Sequence, residues 1–128
     1  MASYDDLMPN PIRVLIVDDN LTTRMGLGIF FEMQDDMQVI GEASNGQEGV
    51  DLCRKLLPDV VLMDLMMPVM DGLTATMIIV QEFPSIRVVV LTSGLGDDSP
   101  EDVLKAGASA YCTKNSAGDT LAKAIRGG

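Results

Sequence analysis

The chain has 128 residues, 47% hydrophobic and 22% charged, which fits one domain able to bury a core. Its net charge of −10 argues against nucleic acid as a direct ligand, because duplex affinity depends on Lys and Arg neutralising phosphates. With no histidine it has no imidazole for acid–base catalysis, metal ligation or phosphoryl carriage, which removes most hydrolase schemes.

Residues 1–11 are polar, end on Pro9 and Pro11, and read as a flexible leader that is too acidic for a signal peptide. No apolar stretch approaches the roughly 18 residues that span a bilayer, so the expected location is the cytoplasm, without membrane contact. Five short apolar runs follow: Arg13–Val17, Met37–Ala43, Val60–Met63, Val88–Leu91 and Ala110–Thr113. The first, third and fourth are near-continuous Val, Ile and Leu, as in strands covered on both faces. Segments with helical spacing separate the runs, so strand and helix alternate five times. That is the pattern of an α/β fold, a doubly wound five-stranded parallel sheet with helices on both faces, over residues 12–126.

The punctuation agrees. Asn20 suits the cap of the first helix, Asn45-Gly46 opens the second and Pro58 ends it; Asp71-Gly72 precedes the third and Pro84 follows. The fourth helix is expected to run only from about Pro100 to Ala106. Gly94 and Gly96 disfavour helix by about 1 kcal/mol each, whereas Ser99-Pro100 with Asp102 suits a capping box. Gly94 to Asp98 then forms a loop beside Thr92, free to act as a switch element. Ser116 is placed to cap the fifth helix, and Gly127-Gly128 stops it or begins a linker. Cys53 and Cys112 read as free thiols, too few for a zinc site without histidine.

The first helix carries two apolar stripes. Leu27, Phe30 and Phe31, with Thr23 a turn earlier, form one face; Leu21, Met25 and Ile29 form another, rotated well away. A helix lying on a sheet buries one broad face. The second stripe is therefore either covered by neighbouring loops or a surface for a kinase or a second copy.

The chemistry lies at the strand ends. Asp18 and Asp19 close the first run, Asp64 closes the third, Thr92 follows the fourth and Lys114 the fifth. In a parallel sheet all five occupy the carboxyl end, where open α/β sheets bind ligands. A buried carboxylate at such an end is costly unless something there uses it. A hard cation such as Mg²⁺ prefers carboxylate and carbonyl oxygen, so Asp18, Asp19, Asp64 and the backbone carbonyl of Met66 are the candidate ligands. The cation and Lys114 would offset carboxylate repulsion. Asp64 can then attack phosphorus as an ionised nucleophile, with catalysis by positioning and charge neutralisation.

These residues carry a resemblance. Val14-Leu15-Ile16-Val17-Asp18-Asp19, Val60-Val61-Leu62-Met63-Asp64 with Met67-Pro68 and Asp71-Gly72, Val90-Leu91-Thr92-Ser93, Lys105-Ala106-Gly107-Ala108 and Tyr111-Cys112-Thr113-Lys114 resemble the receiver domain of bacterial two-component response regulators. The resemblance implies the flavodoxin-like strand order 2-1-3-4-5. It implies that Asp64 is phosphorylated by a sensor histidine kinase, with Asp18 and Asp19 as the acidic metal pair. Thr92 then resembles the switch hydroxyl, Lys114 the phosphoryl-pairing lysine, and Tyr111 the aromatic that changes rotamer on activation. Asn115 follows the lysine where many branches have proline, which resembles the branch with a C-terminal helix-turn-helix DNA-binding domain. DNA would then be bound by that domain, absent from this chain, and phosphorylation would favour a homodimer. The output expected is transcription rather than enzyme turnover. Three other readings stand beside this one: a stand-alone receiver, a pseudo-receiver with an inert site, and an aspartyl-nucleophile phosphohydrolase of the haloacid dehalogenase type. The last places a second acid two residues after its nucleophile, an offset this chain does not show.

Overall fold

The computed structural model describes residues 10–94, 98–116 and 118–127. Strands and helices alternate as β1 (Ile12–Val17), α1 (Leu21–Glu32), β2 (Met37–Ala43), α2 (Gly46–Leu56), β3 (Val60–Met63), α3 (Gly72–Glu82), β4 (Arg87–Thr92), α4 (Pro100–Lys105), β5 (Ala110–Thr113) and α5 (Gly118–Arg126). The strands form one parallel sheet in the order β2-β1-β3-β4-β5. Both the alternation and the expected order hold.

The strand side chains sort by parity, as the two-residue period of a strand demands. Leu15, Val17, Val61, Met63, Val88 and Val90 pack on one face with Val50 and Cys53 of α2, Ala75 and Ile79 of α3, and Val103 of α4. Val14, Ile16, Val60, Leu62, Val89 and Leu91 pack on the other with Phe31 of α1 and Leu121, Ala122 and Ile125 of α5. Two-sided burial is why those three runs are apolar at every position.

Helix starts follow local chemistry. The side chains of Asn20, Asn45 and Asp71 accept from the backbone N–H of Thr23, Glu48 and Thr74 at 2.9, 2.9 and 2.7 Å. Ser99 and Asp102 form the expected capping box, with Pro100 at the start of α4. Helix α4 ends at Lys105, and Ala106 is its C-cap. Of the expected Gly94–Asp98 loop, residues 95–97 lie outside the described residues; Gly94 has a positive φ of 81°. The expected cap at Ser116 adjoins position 117, which lies outside the described residues. The described part of α5 is Gly118–Arg126, and the Ser116 hydroxyl sits 2.8 Å from that of Thr113. Cys53 and Cys112 are free and buried.

Two arginines close helix ends. From the start of β1, Arg13 donates to the carbonyls of Leu56 and Leu57 at 2.7 Å each, where α2 runs out of intrahelical partners. From the start of β4, Arg87 donates to the carbonyls of Ala124 and Ile125 at the end of α5. Each places a cation at the negative end of a helix.

Candidate functional site

The sheet's own hydrogen-bond ladder runs on into the site. The N–H of Asp18 donates to Ala43 at 3.0 Å, that of Asp64 to Val17 at 2.9 Å, and that of Lys114 to Thr92 at 2.7 Å. Each site residue is thus fixed to the neighbouring strand before its side chain engages anything. Thr92 belongs to β4 itself as its last residue, so the strand ends one position later than the Val88–Leu91 run implied.

Asp18, Asp64 and Thr92 are buried, and Asp19 is exposed. One carboxylate oxygen from each of Asp18, Asp19 and Asp64 lies within 4.8 Å of the others. Lys114 reaches in from the end of β5, its Nζ 2.8 Å from Asp18 Oδ2 and 3.6 Å from Asp64 Oδ1. Three carboxylates against one ammonium leave an excess of negative charge, which a divalent cation would offset. Asp18 Oδ1 accepts from the Asn20 N–H at 2.8 Å, and Asp64 Oδ1 from the Leu65 N–H at 3.0 Å. The Thr92 hydroxyl accepts from the Gly94 N–H at 3.3 Å, which leaves its own hydrogen free to point elsewhere.

Electrostatics follow the crowding. Burial, then the charge of Asp18, push the Asp64 carboxyl up to about 6; Lys114 and the Leu65 N–H oppose this. For Lys114, burial favours the neutral amine, but the hydrogen bond to Asp18 and the charge of Asp64 outweigh it and raise its pKa.

The five acid, hydroxyl and amine groups named from sequence therefore share the carboxyl edge of the sheet. Met66 lies two residues beyond Asp64, in the loop to α3, with its side chain exposed. Tyr111 is half-buried on β5, packed against the core face that α2, α3 and α4 cover. The second stripe of α1 is not covered: Leu21, Met25 and Ile29 are 61%, 62% and 61% exposed.

The sequence reading missed one contributor, Arg24, and the reason for another that it had named, Gly72. Arg24, one turn into α1, donates from Nη1 to the Asp18 carbonyl at 2.5 Å and from Nε to Glu42 at 3.1 Å. Its signal was a cation six residues after an acid pair. Gly72 donates its N–H to Leu65 at 2.8 Å, and a Cβ there would overlap the Asp64 carbonyl oxygen. Only glycine lets α3 start so close to the end of β3, which is the physical content of the Asp71-Gly72 pair.

Known proteins bear on this arrangement. The family model described as the response regulator receiver domain matches residues 14–126. The transcriptional regulatory protein LiaR of Bacillus subtilis is 50% identical over 115 residues, covering 90% of this chain and 54% of that protein. The response regulator protein VraR of Staphylococcus aureus is 38% identical over 115 residues, covering 90% and 55%. This chain thus spans about half the length of these curated relatives. Among solved structures, a two-component response regulator of the LuxR family from Aurantimonas superposes with a TM-score of 0.85 at 33% identity, covering 91% of this chain and 84% of that one. The response regulator domain of Thermotoga maritima CheB gives 0.83 at 33% identity, covering 91% and 95%. The chain belongs to the receiver domain family of two-component response regulators, on the branch whose relatives are transcriptional regulators.

Proposed function

We propose that this chain is the phosphoacceptor of a two-component relay, and that Asp64 takes the phosphoryl group from a sensor histidine kinase. The observation that carries this is the meeting of Asp18, Asp19 and Asp64 within 4.8 Å beside the Lys114 ammonium. An Asp64 oxygen attacks phosphorus as the bond from phosphorus to the donor's imidazole nitrogen breaks. Lys114 neutralises the phosphoryl oxygens, and the Thr92 O–H turns toward one of them. Asp18, Asp19, Asp64 and the Met66 carbonyl form an all-oxygen set suited to Mg²⁺, which when bound would supply positive charge at the reacting oxygens. Asp64 must be ionised to attack, and both the cation and Lys114 favour that form.

Thr92 and Tyr111 are the proposed switch pair: they lie on neighbouring strands, Thr92 opposite Thr113 and Tyr111 opposite Val90, and the half-buried aromatic changes rotamer as the hydroxyl is drawn toward the phosphoryl group. The exposed Leu21–Met25–Ile29 stripe is proposed as a protein contact, for the kinase or for a homodimer formed on phosphorylation. DNA binding, and with it transcription, is assigned to a separate C-terminal domain, in keeping with the greater length of the relatives. No catalytic turnover of a free substrate is proposed.

Incubation with Mg²⁺ and acetyl phosphate, followed by intact-mass spectrometry, tests this reading. A receiver accumulates one phosphoryl group, a phosphohydrolase turns over donor without accumulating it, and an inert interaction module does neither.

A further inference from the structure

The loop from β3 to α3 contains an oddity that phosphoacceptor chemistry does not need. Val69 has φ 71°, and the Met70 N–H donates across it to the Pro68 carbonyl at 2.8 Å. That is a three-residue turn with a β-branched residue in the left-handed region, where glycine or asparagine would sit with far less strain. Val69 is also 83% exposed, more than any other large hydrophobic residue among those described. It therefore carries two costs at once, strained backbone and an apolar side chain in water, and its side chain contributes nothing to the core. The loop is held from both ends. Gly72 donates to Leu65 at 2.8 Å, and Gly46 donates to the Met70 carbonyl at 3.0 Å, where an added Cβ would stand 2.5 Å from that oxygen. The strain is thus maintained rather than relaxed, and the Val69 side chain is presented on a pinned loop.

The same edge exposes further apolar groups: Met66 at 59%, two residues beyond Asp64, and Leu21 at 61%, two residues beyond Asp19. Apolar side chains thus stand just beyond the acids on both sides, Met66 in the β3–α3 loop and Leu21 at the start of α1. A small phosphodonor needs only the charged crevice. A protein donor must bring its own surface down around that crevice and exclude water there.

We infer that Val69 is a specificity-determining contact for the protein that donates the phosphoryl group, a side chain that packs on the donor's apolar surface as Asp64 meets the phosphorylated residue. This rests on the phosphoacceptor reading above, and two donors separate the readings. The rate of Asp64 phosphorylation is measured in Mg²⁺ with acetyl phosphate, and with an autophosphorylated histidine-kinase core chosen because it phosphorylates the unsubstituted chain. The variants are Val69→Asn and Val69→Gly, both of which tolerate positive φ, so neither should unfold. The expected result is an acetyl phosphate rate within about twofold of the parent and kinase transfer slowed at least fivefold, with the melting temperature unchanged or raised. Val69→Ile, which keeps an apolar side chain, should retain most of the kinase rate. Equal losses with both donors would make Val69 a loop-positioning residue and overturn the inference, as would unchanged kinase transfer. If neither acetyl phosphate nor any kinase core tried phosphorylates the unsubstituted chain, the phosphoacceptor reading itself fails, and the inference with it.

Discussion

At Asp64, two effects pull on one carboxyl in opposite directions. Burial and the neighbouring Asp18 favour the proton; Lys114 and the Leu65 N–H favour the anion, and the balance leaves the group at about 6. An unfolded Asp titrates near 4, so the folded protein holds this proton more tightly. Its contribution to stability is therefore full below about pH 4 and is lost as pH rises through about 6, on the order of 3 kcal/mol. Asp64→Asn removes the titration. In chelator it should be more stable than the parent at about pH 7, and the difference should shrink toward pH 4; a difference that does not vary with pH in urea unfolding would contradict this. Mg²⁺ should raise the parent's melting temperature at neutral pH by relieving the same repulsion. Asp19→Ala should lose most of that gain, and an undiminished gain would put the cation elsewhere. The acids themselves were legible in the sequence because each ends an apolar run. Their pairing was not: Lys114 lies closer to Asp18 than to Asp64, and only the geometry of the β5 turn decides that.

Among the elements, strands and helix starts follow local rules, whereas helix ends depend on distant residues. Runs of Val, Ile and Leu announce buried strands, and Asn20, Asn45, Asp71 and Ser99 announce caps, because both signals lie within a few residues of what they describe. The C-terminus of α2 ends on Leu57 in the left-handed region with φ 48°, and its carbonyls are met by Arg13, over forty positions away in sequence. Arg87 does the same for α5. No local pattern encodes these pairings. Arg87→Ala should cost about 1–2 kcal/mol by leaving carbonyls of Ala124 and Ile125 without their charged donor, read as a shifted urea midpoint with an unchanged slope. On α1, spacing showed two stripes without deciding which one the sheet covers; the fold buries Phe31 and leaves Met25 62% exposed. Met25→Asp should therefore change stability by no more than about 0.5 kcal/mol while slowing kinase transfer or weakening dimerisation. A loss of several kcal/mol would assign Met25 to the core instead.

For the molecule as a whole, the parallel sheet brings groups far apart in sequence to one edge and leaves the opposite edge to structural caps such as Arg13 and Arg87. The register makes this unavoidable: Val17 lies beside Met63, Met63 beside Val90, and Thr92 beside Thr113, so the residues that follow the strands must converge. This is why the site was legible from five separated motifs, while the backbone contact of Arg24 and the close approach that demands glycine at position 72 were not. Among the described residues no helix is long and apolar enough to cross a membrane. The net charge of −10 fits a domain that leaves nucleic acid to a separate partner or domain. Asp64 is proposed to be the sole residue that accepts the phosphoryl group. Site mapping after reaction with Mg²⁺ and acetyl phosphate tests this: borohydride reduction of the acyl phosphate, then peptide mass spectrometry of the parent and Asp64→Asn. The expected outcome is a single modified residue, Asp64, with the folded variant unmodified; undiminished phosphorylation of Asp64→Asn would overturn the assignment.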